Sequence, residues 1–391
     1  MRIAIYHPWI YLKSGLERTI LEIKRRSRHD WEIFTSFYDR ERTYPDLEQM
    51  GVTQLERVSV NRTYREVIGA GFTIARTRIA RPGIEALMVC CDGLGSFVNF
   101  ANPELASVCL CFTPLRAVYD PEYRARHVSP SRLVRGVQHA VAAAYRRIDR
   151  RAWRHYRHVF CISQEVKRRV LSGRLSSEDK LEIAYPGIDA ALRARSDETQ
   201  PFFFLPGRIM WTKNIQLAIR AHQRLAATRR GGRFSLKIAG MVDDKSRSYY
   251  RQLRDLAGAD ATIDFVVDPT DGQMHELYRV CHAVLLTAFN EDLGITPIEA
   301  GAFGKPVIAV DRGGPREVVV DGETGLLVEP DAEAFAQALA RLAGDPALAS
   351  RLGAANYERS ALFTWDRFVE SIDRWFDAAP GPERATDTAD L

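Results

Sequence analysis

An α/β fold of two parallel-sheet domains is predicted by three observations. Short apolar runs alternate with amphipathic helical patterns along the chain, and that alternation builds parallel sheets from strand–helix–strand units. The length, 391 residues, exceeds what one core ordinarily serves and suggests two domains. One stretch shows the repeating unit in full. Ala283–Phe289 is apolar and reads as a buried strand. The polar turn Asn290–Gly294 follows. Thr296-Pro297 reads as a helix start, with Thr as N-cap and Pro at the first helical position, where its missing N–H costs nothing. Gly304 stands where a helix C′ glycine belongs. Val307–Val310 is the second strand, and such units are parallel and right-handed almost without exception.

The other elements follow in chain order. Arg2–Tyr6 is a strand that His7-Pro8 ends, and Gly15 precedes a helical pattern with Leu16, Ile20 and Ile23 on one face. Trp31–Phe34 reads as the second strand and Val58–Val60 as the third. Arg62–Arg81 reads as a basic amphipathic helix whose apolar residues are Val67, Ile68, Phe72, Ile74 and Ile79. Leu87–Cys91 and Ser107–Phe112 are buried strands. In the basic stretch Tyr123–Arg157, Arg146, Arg147, Arg150, Arg151, Arg154 and Arg157 recur among Tyr145, Ile148, Trp153 and Tyr156. That spacing suits a helix lying on a membrane surface, or an exposed helix packed on a sheet by its aromatic side.

His158–Ser163 and Leu181–Tyr185 are strands, and the patternless polar stretch Ala190–Gln200 marks the boundary between a domain of residues 1–195 and one of 200–360. Strands at Pro201–Pro206, Phe234–Ala239 and Ile263–Val267 and helices at Ile215–Ala227, Met274–Arg279, Ala332–Ala343 and Pro346–Glu358 fill the second domain. A last helix, Asp366–Phe376, occupies residues 361–377. The Pro, Gly and acidic content of Ala378–Leu391 predicts a disordered tail.

Charge is uneven. Residues 1–195 carry 33 Lys and Arg against 21 Asp and Glu, a net of +12, and the remainder carries 22 against 29, a net of −7. A basic front half suits an anionic partner such as a lipid surface, a lipid diphosphate or nucleic acid. The six cysteines form no C-x-x-C pair, and Cys90, Cys109 and Cys111 fall in apolar runs. They read as small hydrophobes in a reducing compartment, not as a disulfide set or a zinc site. No apolar run approaches the roughly 18 residues of a spanning helix, and the start reads as a strand and not a signal peptide. The expectation is a cytoplasmic protein.

Two loops carry chemistry. Glu291 lies just past a buried strand, and Glu299 falls in the first turn of the next helix. The backbone N–H groups of Gly294, Ile295 and Thr296 point out of that helix end, a usual place for a phosphate. Two carboxylates can accept hydrogen bonds from hydroxyls, so anion site and acceptors together suit a nucleotide sugar. The plainer reading is an N-cap turn with two solvated glutamates. A second loop, Gly207–Asn214, joins a strand to a helix and holds Arg208 and Lys213. Arg grips phosphate oxygens bidentately and Lys adds a point charge; solvated loop charges are the alternative.

The segment Glu291-x7-Glu299, followed by AGAFGKPVIAVDRGGPREVVVDGETGLLVEP, resembles the signature of retaining glycosyltransferases of family 4. The resemblance covers residues 1 to about 376 and is strongest at 203–214 and 283–330. It implies the GT-B architecture, two Rossmann-like domains facing a cleft with the last helix crossing back to the first domain. It also implies a metal-independent hexosyltransferase without a cofactor. By resemblance, Glu299 binds the nucleotide ribose, Glu291 lies at the donor sugar, Arg208 and Lys213 bind the donor diphosphate, and Gly313 and Gly314 border diphosphate and sugar. Ser14-Gly15-Leu16-Glu17-Arg18 is similar to the family's Gly-Gly-x-Glu-Arg loop near the donor phosphate and acceptor. Phe112-Thr113-Pro114-Leu115-Arg116 is similar to a His-Thr-Pro-x-Arg segment of bacterial members that build surface polysaccharides, many of them mannosyltransferases. Phe112 replaces the sugar-contacting His, while Arg116 stays a candidate for phosphate or acceptor contact.

GDP-mannose is the donor this resemblance favours and a UDP-hexose the next. The acceptor it implies is a hydroxyl of a lipid-linked or polysaccharide glycan, with the enzyme cytoplasmic or peripheral at the inner membrane face and no nucleic acid as partner. Two other classes remain: a non-enzymatic basic module binding membrane or nucleic acid, and a nucleotide-binding oxidoreductase. The latter needs a Gly-x-Gly-x-x-Gly after a strand, which this chain lacks.

Overall fold

Continuous apolar runs are buried on both faces only when helices cover both sides of a parallel sheet, and the chain builds two such sheets. The structure, a computed structural model, describes every residue except 61–63, 92, 128, 228–232 and 379–391. All of the predicted tail but Ala378 lies outside the described residues. The chain divides into two units, Met1–Tyr185 with Asp366–Leu391, and Pro186–Trp365. The division falls at Tyr185, ahead of the polar stretch Ala190–Gln200.

The first unit holds strands β1 (Arg2–Tyr6), β2 (Asp30–Thr35), β3 (Val52–Gln54), β4 (Ala86–Cys91), β5 (Ala106–Cys111), β6 (Tyr156–Cys161) and β7 (Leu181–Ile183). Their order is β3-β2-β1-β4-β5-β6-β7, and every pairing is parallel. All six residues of β4 are buried. Helix α1 (Gly15–Arg26) is capped by Ser14, whose hydroxyl accepts from the Leu16 N–H. The side chain of buried Glu17 ties the loop before it, accepting from the Leu12 N–H at 3.2 Å and from the Ser14 hydroxyl. All six cysteines are free and buried.

Three expectations need correcting. The third strand is Val52–Gln54, not Val58–Val60. Val58 does reach the neighbouring chain, with its N–H donating to Ser36 O, but no ladder follows. The helix expected over Arg62–Arg81 is α2 (Tyr64–Ile74), and Arg62 lies outside the described residues. The far end of the expected span is not helical, and there buried Asn102 takes the N–H groups of Ile79 and Ala80 at 2.7 and 3.0 Å. The basic stretch splits into Pro121–His127 and α3 (Arg132–Trp153), and β6 begins two residues ahead of His158. Pro130, which has no N–H to give a helix, stands between the two helices.

The final helix, Trp365–Ala378, packs on elements of the first unit, as the resemblance implies. Phe376 meets Trp31 edge to face at 5.6 Å, and Trp375 stacks on His158 at 5.0 Å. Buried Asp373 accepts from the Ser27 hydroxyl at 2.5 Å and from the Arg28 N–H at 3.1 Å.

The second unit holds β8 (Phe202–Pro206), β9 (Ser235–Gly240), β10 (Ile263–Val267), β11 (Ala283–Leu286), β12 (Val307–Val310) and β13 (Gly325–Val328), in the order β10-β9-β8-β11-β12-β13. All pairings are again parallel. Helices α4 (Ile215–Ala226), α5 (Asp271–Val280) and α6 (Thr296–Ala302) follow β8, β10 and β11. Phe203, Leu205, Ile238, Leu285 and Ile308 from the sheet share one core with Ile219, Leu225, Phe335 and Leu339. Because β8 is central, its loop and those after β11 and β12 emerge together at the carboxyl edge.

One buried acid makes the first unit pH-sensitive. Asp149 on α3 is 1% exposed. Burial raises its carboxyl to about 7, against the lowering pull of Tyr119 and Trp153. Unfolded, it titrates at about 3.9, so between those values the folded state keeps a proton that the unfolded state has released. Its stabilising contribution is full at low pH and is lost as pH rises through about 7. Asp149→Asn should therefore gain on the wild type by about 2 kcal/mol more at pH 8 than at pH 5 in urea denaturation. An equal difference at both pH values would contradict this.

Candidate active site

The site of the second unit begins with register. Phe203 and Phe204 of β8 pair with Ala283 and Val284 of β11, so the loops that leave these strands run side by side. Hydrogen bonds to backbone carbonyls join them. The Thr287 hydroxyl donates to Lys213 O at 2.8 Å, and the Phe289 N–H donates to Thr212 O at 3.1 Å. The loop after β12 is tied in where the Gly314 N–H donates to Glu291 O at 3.0 Å.

Glycines set these approaches. Gly313 has φ +65°, and a Cβ on it would lie 2.6 Å from Glu291 O. A Cβ on Gly314 would lie 2.3 Å from Leu293 Cα, a backbone atom with nowhere to go.

Charged groups then converge. Lys213 Nζ pairs with Glu291 Oε2 at 2.9 Å. Lys213 also acts on the Glu299 carboxyl, lowering its pKa together with the Tyr278 hydroxyl and His275. Burial is the larger effect and leaves that carboxyl above its ordinary value. One lysine therefore pairs with one acid of this strand–helix unit and acts on the other. Arg208 is half-buried, and among the described residues its guanidinium has no recorded ion pair or hydrogen bond. A partly buried guanidinium without an anion can receive one from a ligand.

Helix α6 starts one residue earlier than expected. Its N-cap is Ile295 and not Thr296, so Thr296 and Pro297 are the first two helical residues. Gly294 takes φ +83°, which turns the chain into the helix without a capping side chain. Among the described residues the N–H groups of Gly294, Ile295 and Thr296 have no recorded protein acceptor. Gly304, at φ +71°, follows the helix as its C′ residue.

Of the predicted residues, Arg208, Lys213, Glu291, Gly294, Ile295, Thr296, Glu299, Gly313 and Gly314 lie on three neighbouring loops of the second unit. Gly15 and Arg116 belong to the first unit, after β1 and β5. Arg116 lies 3.9 Å from buried Asp120. Half-buried Phe112 donates its N–H to Cys91 O at 3.1 Å and brings a ring where the resemblance expects an imidazole. After β10, Asp268 adopts φ +51°, a left-handed conformation that glycine takes more easily. Tyr278, missed at the level of sequence, donates its hydroxyl to Glu299 Oε2 at 2.5 Å. No local pattern marks it, because its partner is 21 residues away.

Comparison with known proteins bears on this geometry. Residues 192–359 match the family model described as glycosyl transferases group 1. This segment, most of the second unit, is therefore similar to the group 1 glycosyltransferases. It is 31% identical over 211 residues to the alpha-1,3/1,6-mannosyltransferase ALG2 of Mus musculus, covering 49% of this chain and 51% of that protein. It is 30% identical over 212 residues to a D-inositol 3-phosphate glycosyltransferase of Stackebrandtia nassauensis, covering 50% and 48%. The matched region thus spans about half the length of these curated relatives. Among solved structures, HepE of Anabaena in complex with UDP and glucose superposes with TM-score 0.71 at 16% identity, over 97% of this chain and 100% of that one. WaaG, a glycosyltransferase involved in lipopolysaccharide biosynthesis, gives 0.70 at 14%, over 96% and 100%. These superpositions establish the GT-B fold.

The glycine geometry predicts a contrast. Gly314→Ala should lose about 1–3 kcal/mol of stability in thermal or urea unfolding, because only backbone can yield. Gly15→Ala, whose new Cβ meets nothing within 4 Å, should stay within about 0.5 kcal/mol of the wild type. Equal midpoints for the two variants would refute the close approach at Gly314.

Proposed function

We propose that this chain is a retaining, metal-independent hexosyltransferase that takes its sugar from a nucleoside diphosphate sugar. The observation that carries the reading is that Lys213, on the same loop as Arg208, pairs with Glu291 and acts on Glu299 of α6, within a segment that matches the group 1 glycosyltransferase model.

In the reaction, the bond from the sugar's anomeric carbon to the β-phosphate oxygen breaks, and its electrons go to the diphosphate. The acceptor hydroxyl oxygen bonds to that carbon on the same face, and its proton passes to the departing phosphate. The main catalytic demand is stabilising charge on the leaving diphosphate. Arg208 and Lys213 meet it as cations, and the N–H groups at Gly294–Thr296 add dipoles. Lys213 is held against Glu291 at 2.9 Å. Its ammonium can turn to phosphate while Glu291 accepts a sugar hydroxyl. Glu299 accepts from the ribose.

GDP-mannose is the donor we propose, supported by the Thr113-Pro114-Leu115-Arg116 segment and by the mannosyltransferase among the relatives. A UDP-hexose is the alternative that UDP-bound HepE favours. The acceptor we propose is a lipid-linked or polysaccharide glycan at an anionic membrane face. Supporting this, residues 132–148 contain no Asp or Glu. Along α3, Leu133 is 80% and Val137 57% exposed, with Val134, Val141 and Ile148 exposed beside them. Arg132, Arg147 and Arg151 are exposed on the same helix. An apolar stripe flanked by cations suits an anionic interface. No helix among the described residues is long and apolar enough to cross a membrane.

Two experiments test these readings. Arg208→Ala should cut turnover at least about a hundredfold, roughly the effect of losing one preorganised donor, in an assay of nucleoside diphosphate release from GDP-mannose and UDP-glucose; normal turnover refutes the role. In vesicle flotation, the chain should bind phosphatidylglycerol vesicles and not phosphatidylcholine ones, and Val137→Asp with Val141→Asp should abolish binding. Unchanged binding by that double variant would sink the membrane reading.

A further inference from the structure

The Glu299 carboxylate is held by a tyrosine that is itself held. Tyr278 sits near the end of α5, with 3% of its surface exposed. Its ring lies parallel to Phe303 at 5.8 Å and edge-on to Phe204 of β8 at 5.0 Å. Those contacts leave the ring little rotation, and they aim the hydroxyl at Glu299 Oε2 at 2.5 Å. Burial pushes this hydroxyl's pKa up well above its ordinary value, and the Thr296 side chain, at the start of α6, pulls it the other way. Three elements therefore meet at this side chain: α5 carries Tyr278, α6 brings Glu299 to its hydroxyl, and β8 brings Phe204 to its ring. Lys213 from the loop after β8 and His275, one turn earlier on α5, also act on the same carboxylate.

A glutamate has three side-chain torsions and pays an entropic cost for each that a ligand must freeze. Here one oxygen is tied before any ligand arrives. We propose that Tyr278 is the positioning residue for Glu299: its hydroxyl fixes one carboxylate oxygen so that the other is presented to the ribose hydroxyls of the donor. The proposal rests on the reading of Glu299 as ribose partner. It assigns Tyr278 no contact with the reacting atoms. Its consequence is selective. Loss of the hydroxyl should weaken recognition of the ribose while leaving the diphosphate grip of Arg208 and Lys213 intact.

The test measures dissociation constants by calorimetry for UDP, GDP and their 2′,3′-dideoxy counterparts, with the wild type, Tyr278→Phe and Glu299→Gln. Tyr278→Phe should weaken the better ribonucleotide about tenfold, the order expected for a hydrogen bond to a charged group. It should change binding of the dideoxy counterpart less than twofold. In turnover, KM for the donor should rise with kcat nearly unchanged. Phe303→Leu, which removes the stacked ring and leaves the hydroxyl, should shift the same ratio in the same direction by a smaller factor, and it serves if Tyr278→Phe does not fold. A purely structural Tyr278 would weaken both nucleotides alike, and that result overturns the proposal, as does wild-type binding by Tyr278→Phe. If Glu299→Gln loses the ribose preference and Tyr278→Phe keeps it, only the proposal falls. If Glu299→Gln keeps the preference, or neither nucleotide binds the wild type, the reading of Glu299 falls and takes the proposal with it.

Discussion

The pairing of β8 with β11 is the constraint on which the rest of the second unit depends. Parallel strands share a carboxyl edge, so whatever follows each strand emerges beside whatever follows its neighbour. The cationic loop after β8 and the acidic unit after β11 are far apart in sequence, yet Lys213 and Glu291 meet at 2.9 Å. The contact is not a surface accident. The Thr287 and Phe289 hydrogen bonds place the loop backbones first, and the side chains inherit that placement.

This arrangement brings opposite charges together where neither is fully solvated. Lys213 and Glu291 are each about a quarter exposed, and Glu299 is pushed toward protonation by burial while Lys213 and His275 oppose it. Charges held this way contribute little to stability, because desolvation offsets much of their attraction. They are well suited to ligand exchange, since a diphosphate can replace one acid at the lysine with small net change. Arg208 adds a cation that has no recorded protein partner among the described residues. The site is thus organised before a ligand arrives, and preorganised charge is what stabilises a developing anion at least cost.

Much of this was legible in the chain, for physical reasons. Interior parallel strands are buried on both faces, so β4, β8, β11 and β12 appear as unbroken apolar runs. Pro297 and Gly304 punctuate α6 from within a few residues. What escaped reading depends on distant partners. The edge strand Val52–Gln54 is polar and partly exposed and lacks an apolar signature. Helix α2 ends at Ile74, and the Ile79 and Ala80 amides that a longer helix would have used go to Asn102, over twenty residues away. The N-cap at Ile295 replaces the expected Thr296 because Gly294 makes the turn alone. Tyr278 carried no signal because its meaning lies in Glu299, Phe303 and Phe204.

The central claim is that two cations and two acids on adjoining loops receive one nucleoside diphosphate. The most direct measurement is a crystal structure of the chain grown with GDP or UDP. The account predicts the diphosphate within hydrogen-bonding distance of both Arg208 and Lys213, and the ribose against Glu299. A nucleotide bound elsewhere, or one whose diphosphate touches neither cation, would contradict it.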